Sequence, residues 1–275
     1  MENKQDITDD QESTDGNGDI SLFTIGGILS ITFRALFKNP IVFFGLTIFT
    51  TVLAASIEYS LRATMPGIGE RTFDILNSII MMLFWQWIGG AMAYGVFHTI
   101  KGNNASLGAS LFHGMRRYIQ LVCIGFIFDF GATCGLILVY IPGIAQILRL
   151  IPVIAPILLL IPGFIVMCTW FVVVPACVVE RMGVIDSLFR SAYLTKGCRL
   201  KIFGILLIMI FSHWAVMTIA PFFMPTVGPG TYHILLELVG DVTKAFKYIM
   251  PAVIYFELRR VKEGVAVDSL ANVFD

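Results

Sequence analysis

Charge is scarce in this chain. Only 14% of its 275 residues are Asp, Glu, Lys or Arg, and the nineteen basic and nineteen acidic groups cancel to a net charge of zero. A neutral chain offers no bulk attraction to nucleic acid or to an acidic partner, so neither is expected. The five cysteines form no CxxC pair and no extracellular spacing; Cys123, Cys134, Cys168 and Cys177 fall inside apolar runs and Cys198 beside a basic turn, so all five read as small packing residues. No GxxxxGK[ST], HExxH or GxSxG occurs, nor a GxGxxG followed by a strand. No stretch has the length and polarity of a soluble catalytic domain. The chain reads as non-enzymatic, with no cofactor and no metal.

What the chain has in quantity is apolar surface. Hydrophobic residues make up 57% of the sequence, and the mean hydropathy is +0.82. A water-soluble fold of this size needs a mostly polar exterior, whereas a bilayer accepts an apolar one. The expected class is therefore all-α integral membrane. Six stretches approach the roughly 20 apolar residues that cross a hydrocarbon core of about 30 Å: 41–59, 73–98, 119–140, 161–179, 202–222 and a weaker one at 235–256. Between the third and fourth, residues 141–160 carry Pro142, Pro152 and Pro156 and read as a broken, re-entrant or interfacial piece, although a crossing there stays open.

Ahead of the first, third and fifth spans lie three shorter stretches, 21–38, 106–118 and 184–201. In each, apolar residues recur at helical spacing and basic residues gather near the end that leads into the next span. This is the pattern of an amphipathic helix lying in the membrane interface. It fits a threefold repeat of interfacial helix plus transmembrane hairpin, or else convergence on a common interfacial pattern. If the three helices share a side with both termini, that side holds every Lys and Arg except Arg62, Arg71, Arg149, Lys244 and Lys247. The positive-inside rule then makes it cytoplasmic. Residues 1–20, with seven acids and one lysine, have the composition of a disordered tail rather than a signal peptide, residues 21–264 form the polytopic domain, and 265–275 a cytoplasmic C-terminal tail.

The run VVPACVVERMGVIDSLFRSAYLTKGCRLKIFG at 173–204, with Pro175, Glu180, Ser187, Arg190, Ser191 and Gly197, and the closing YFELRRVKEG at 255–264, resemble a bacterial family. It is the glycerophosphoryl diester phosphodiesterase membrane-domain family, with YciC-like inner-membrane proteins as relatives. The resemblance implies a six-helix domain of the bacterial inner (plasma) membrane. It does not imply the phosphodiesterase activity, because the fused soluble domain that gives the family its label is missing and His98, His113, His213 and His233 lack a metal-binding context.

Ionisable groups at membrane depth are the natural site candidates, since an unpaired charge there costs at least about 2.5 kcal/mol on insertion scales. Asp129, mid-span, reads as a proton or cation site, as a contact to a polar head group, or as a hydrogen-bonded tie between helices. Glu237, Asp241 and Lys244 share one helical face, with Lys247 further along it, and form either the wall of a water-filled cavity or a self-paired extension of the last helix. Gln86, between Trp85 and Trp87, is a candidate interhelical hydrogen-bonding group beside Gly89 and Gly90. Arg190, Lys196, Arg199 and Lys201 are candidate contacts for anionic lipid head groups, or simply determinants of topology. Two roles follow: a membrane scaffold or partner subunit in envelope homeostasis, bound to another membrane protein, or a transporter or lipid-handling protein built on Asp129 and the polar stripe.

Overall fold

The computed structural model describes residues 23–65, 67–103, 105–137, 154–223 and 229–264. The acidic tail, most of the proline-rich 141–160 segment and the C-terminal tail lie outside the described residues. All regular structure within them is helical: α1 (Ile25–Lys38), α2 (Pro40–Thr64), α3 (Glu70–Ile100), α4 (Leu107–Arg116), α5 (Tyr118–Ile137), α6 (Ile154–Thr169), α7 (Val173–Glu180), α8 (Val184–Thr195), α9 (Arg199–Ile219), a short 3-10 turn (Ala220–Phe223) and α10 (Pro229–Glu263).

Local chemistry sets most of the boundaries. Thr24 caps α1 by accepting from the Gly27 amide at 3.3 Å, and Ser106 caps α4 by accepting from the Ala109 amide at 3.1 Å. Asn39 precedes Pro40, a position that disfavours the helical backbone, so α1 ends there and α2 starts with proline in its first turn. The corner is pinned to the end of α3: the Asn39 amide donates to the Thr99 hydroxyl at 2.8 Å and Lys38 donates to the Thr99 carbonyl at 3.3 Å.

Four helices are long and apolar enough to cross a membrane: Pro40–Thr64, Glu70–Ile100, the α6–α7 stretch Ile161–Glu180, and Arg199–Phe222. Within the most apolar window of the first and last, only 22% and 17% is buried inside the protein. Side chains such as Phe49, Val52, Phe211 and Phe222 stand on the surface. Contiguous apolar surface on this scale does not face water, and it points to a membrane protein. α5 offers a shorter apolar helix, Tyr118–Gly131, while α10 has ample length but carries Glu237, Asp241, Lys244 and Lys247 in its first half.

Despite its charges, α10 is the hub. It packs against α1, α2, α3, α7, α8 and α9, and Ala245, Ile249, Met250, Ala252, Val253, Ile254, Tyr255 and Leu258 are at most 1% exposed. The shorter helices α1 and α8 each bury one side and leave large apolar side chains exposed on another. On α8, Ser187, Leu188, Ser191, Leu194 and Thr195 are buried, whereas Ile185, Phe189 and Tyr193 are exposed. On α1, Ile28, Thr32, Ala35 and Leu36 are buried, with Phe33 and Phe37 exposed.

The fourth apolar stretch is interrupted at 170–172, and the sequence explains why. Pro175 has no N–H to offer the Phe171 carbonyl, and its ring crowds that position. The Val173 amide bonds to Trp170 instead of Thr169, leaving the Thr169 carbonyl to α8, where Ser191 donates at 2.9 Å and Thr195 at 3.1 Å. Both hydroxyl-bearing residues are fully buried. Replacing the pair, Ser191→Ala with Thr195→Val, strands that carbonyl and is expected to cost about 1–3 kcal/mol, more than either single change because one hydroxyl can serve alone. Thermal melts of the three variants in detergent check this. A double variant no less stable than the weaker single would show that the hydroxyls do not carry the break.

Candidate functional site

Two polar constellations occupy opposite ends of the bundle. The first joins the end of α7, the middle of α8 and the end of α10. Arg190 donates from Nε to both Glu180 oxygens at 2.9 Å and pairs through Nη2 with Glu263. Arg259 donates to Glu263 at 2.8 Å and reaches Glu180 at 3.9 Å. The Tyr255 hydroxyl donates to Glu180 at 2.6 Å and accepts from Arg259 at 3.2 Å. Two guanidiniums and two carboxylates therefore balance in charge, and all four side chains are at most 20% exposed. Burial works against the charge of Arg190, but Glu180 and Glu263 outweigh it and raise its pKa further. Charge-balanced and mutually paired, this cluster ties α7, α8 and α10 together as a brace. It gathers residues from both segments of the family resemblance.

Close by, Lys262 donates to the Tyr193 and Lys196 carbonyls at 2.9 and 2.6 Å, placing a cation on the C-terminal end of α8. Of the four proposed head-group contacts, Arg190 is thus occupied by carboxylates, and Lys201 donates to the Phe23 carbonyl at 2.8 Å. Lys196 and Arg199 remain exposed.

The second constellation is a cavity of about 840 Å³ walled by α2, α3, α9 and α10, with Met167 of α6 at its edge. Its lining comes from the C-terminal part of α2, the N-terminal part of α3, the later half of α9 and the N-terminal half of α10. The cavity therefore belongs to the half of the bundle away from the brace. Three members of the predicted polar stripe, Glu237, Lys244 and Lys247, line it. Lys244 pairs with Glu237 at 2.8 Å and Asp241 at 3.0 Å. Thr51, across on α2, accepts from Lys244 at 3.2 Å and donates to Asp241 at 2.6 Å. Asp241 is 1% exposed and its second oxygen makes no hydrogen bond.

Lys247 also lines the cavity, and its situation differs. Its ammonium sits 5.3 Å from the centre of the Trp85 ring, and no carboxylate among the described residues lies within ion-pair distance of it. Asp129 on α5 reaches it only through longer-range electrostatics. Two further lining residues, Asn77 and Tyr248, hold a buried side-chain oxygen with no hydrogen-bond partner. Around these polar atoms the wall is Ala, Met, Trp and Phe, including Ala54, Ala55, Met81, Met209 and Phe246.

Glu237, Asp241 and Lys244 are thus brought together, while Asp129 and Gln86 stand outside the cavity wall. Gln86 lies against Gly125 of α5 so closely that a Cβ there would collide with its amide. Its neighbours turn elsewhere, Trp85 into the cavity and Trp87 to α4, where its indole donates to the Leu111 carbonyl at 2.9 Å. The contribution of α2 was missed. Its signal was present: Thr47, Thr50, Thr51, Ala54, Ala55 and Glu58 repeat at helical spacing as one small and polar stripe in an apolar helix. The described residues contain no group of three or more His, Cys, Asp or Glu able to hold a metal ion. No model of a known family, no curated protein and no solved structure matches the chain.

Proposed function

We propose that the chain is a multi-pass membrane protein that binds an amphiphile with an anionic head, its apolar part held in the α2–α3–α9–α10 cavity and its head paired with Lys247. Lys247 carries the reading. An ammonium at membrane depth is costly unless it is paired, and the carboxylates that neutralise Lys244 do not reach it. Asn77 and Tyr248 supply unpaired polar atoms in the same wall, and buried polar groups of this kind generally find a partner. Methionines and aromatics around them suit a flexible apolar chain. This favours lipid handling over a scaffold role, for which the described residues offer no comparable feature.

The arrangement in the membrane belongs to the same proposal. α2, α3, α5, the α6–α7 stretch, α9 and α10 form six spans, and α1, α4 and α8 lie as amphipathic helices in one interface, with exposed Phe33, Phe37, Phe112 and Phe189 entering the lipid. The basic bias puts that interface and both termini in the cytoplasm of a bacterial inner membrane, as the family resemblance also implies. The cavity then belongs to the outer half.

The test is native mass spectrometry of the full chain gently extracted from its own membrane. The wild type should retain a stoichiometric anionic amphiphile, and Lys247→Met should lose it at least about tenfold, as expected for removing the cation of a charge pair. Equal retention by Lys247→Met would sink the reading, and a co-purifying protein with no bound small molecule would favour a partner-subunit role.

A further inference from the structure

The first described residue of the chain lies beside a basic turn. Lys201, in the first turn of α9, donates to the Phe23 carbonyl at 2.8 Å, and Phe23 is 1% exposed. The acidic segment 1–20 is therefore tethered next to the turn 196–198 that joins α8 to α9. We propose that this segment docks on that turn, its carboxylates paired with Lys196 and Arg199. The inference is independent of the cavity reading and uses none of its residues.

Charge at the turn has one sign. Lys196 and Arg199 are exposed, and Lys262 of α10 reaches across to donate to the Lys196 carbonyl at 2.6 Å. Both Lys196 and Arg199 lie within electrostatic range of Lys262. No carboxylate among the described residues is within ion-pair distance of any of the three. The acids nearest Lys262 in sequence are engaged elsewhere, Glu263 by Arg190 and Arg259 and Glu257 by Arg260. No acid occupies the first turn of α9, and Asp186 stands at the opposite end of α8. Clustered cations repel one another, and carboxylates brought among them replace that repulsion with attraction.

The acidic segment has the charge and the reach to supply them. Residues 1–20 hold seven acids against one lysine, the composition of a charged interaction tail. Asp19 and Asp15 precede Phe23 by four and eight residues, distances that an extended chain spans up to about 14 and 28 Å. Tethering makes the encounter intramolecular, so weak pairs suffice to hold it. The competing occupant is an anionic phospholipid head, since Leu200, next to Arg199, is 85% exposed. Attachment at Phe23 and the number of acids favour the chain's own segment. Once docked, it neutralises the turn, and other anions reach Lys196 and Arg199 only by displacing it.

Carbodiimide cross-linking of the full chain, read by peptide mass spectrometry, tests this, because the reagent joins a carboxylate to an amine it touches. In uncharged maltoside micelles, acids of 1–20 should couple to Lys196 at least about fivefold more than to Lys38, at the far end of α1. Arg199→Gln keeps the Lys196 amine and should lower that yield about two- to fivefold, the range of an exposed ion pair, while Arg62→Gln leaves it unchanged. Salt gives a check that needs no variant. Raising it from about 0.1 M to about 1 M shortens the screening length from about 10 Å to about 3 Å, and the preference for Lys196 should vanish. In nanodiscs the cross-link should persist when phosphatidylcholine is replaced by phosphatidylglycerol. Its loss there would assign the turn to lipid head groups and overturn the proposal, as would equal coupling to Lys196 and Lys38, or a yield indifferent to both Arg199→Gln and salt.

Discussion

Glu180→Ala is expected to be the most damaging single charge removal in the chain, costing about 3–5 kcal/mol and in practice most of the folded yield. The carboxylate is 11% exposed and is contacted by Arg190, Tyr255 and Arg259, which come from two different helices. Its removal leaves two nearly buried guanidiniums facing one carboxylate, Glu263, and strands the Tyr255 hydroxyl. The penalty arises from the charges left behind, so the isosteric Glu180→Gln should recover little, and Arg190→Gln in the Glu180→Gln background should restore part of the loss by rebalancing the cluster. Tyr255→Phe, which removes the hydroxyl's donation to Glu180 and its acceptance from Arg259 but no charge, should cost less than Glu180→Ala, about 1.5–3 kcal/mol. Melting temperature and monodisperse yield in detergent measure all four variants. If Glu180→Ala melts with the wild type, the cluster is not a brace.

This cluster also marks a limit of the sequence reading. Glu180, Arg190 and the 255–264 segment were singled out by the family resemblance, but nothing in their spacing says that residues 75 positions apart share one carboxylate. Long-range pairing within a bundle depends on helix rotation, which hydropathy does not encode. The stripe Glu237–Asp241–Lys244, by contrast, was legible because its members lie on one helix, where periodicity alone places them together. Thr51 completes that group from α2 and could not be paired to it in advance.

Helix positions were readable for a related reason. The described parts of the six apolar stretches are largely helical, the fourth broken at 170–172, and the three shorter basic stretches overlap α1, α4 and α8. Hydropathy ranks α10 last among the six stretches, yet α10 packs against six other helices and carries a run of fully buried residues. Asp241 and Lys244 pair with each other and with Thr51 of α2, and Glu237, Lys244 and Lys247 line the cavity, so the low apolar content of α10 goes with a central place in the bundle. Burial of Asp241 at 1% follows from that position. Asp129 shows the reverse: prominent as a lone charge in an apolar run, it lies on the exposed surface of α5 and touches the cavity only through its field on Lys247.

Gly114→Leu should detach α4 from the bundle while leaving the long helices in place. A Cβ on Gly114 would fall 2.8 Å from the Ala91 amide nitrogen and 2.9 Å from the Trp87 carbonyl oxygen, both backbone atoms of α3 that cannot swing aside. Gly90 faces the same crossing, with Gly114 Cα 3.4 Å from its own virtual Cβ, so the two glycines let the helix backbones touch. Alanine alone forces α4 outward and should cost about 1–3 kcal/mol; leucine should exceed that range. The displacement would also lengthen the Trp87–Leu111 hydrogen bond, now 2.9 Å, and the Tyr94–His113 stack. Hydrogen exchange separates local from global damage. Amides of 107–116 should lose protection in Gly114→Leu while those of 245–258 in α10 keep theirs. Loss across both segments would mean that α4 is integral to the core rather than a helix laid upon it, and protection retained in both would mean that the backbone contact at Gly114 carries no weight.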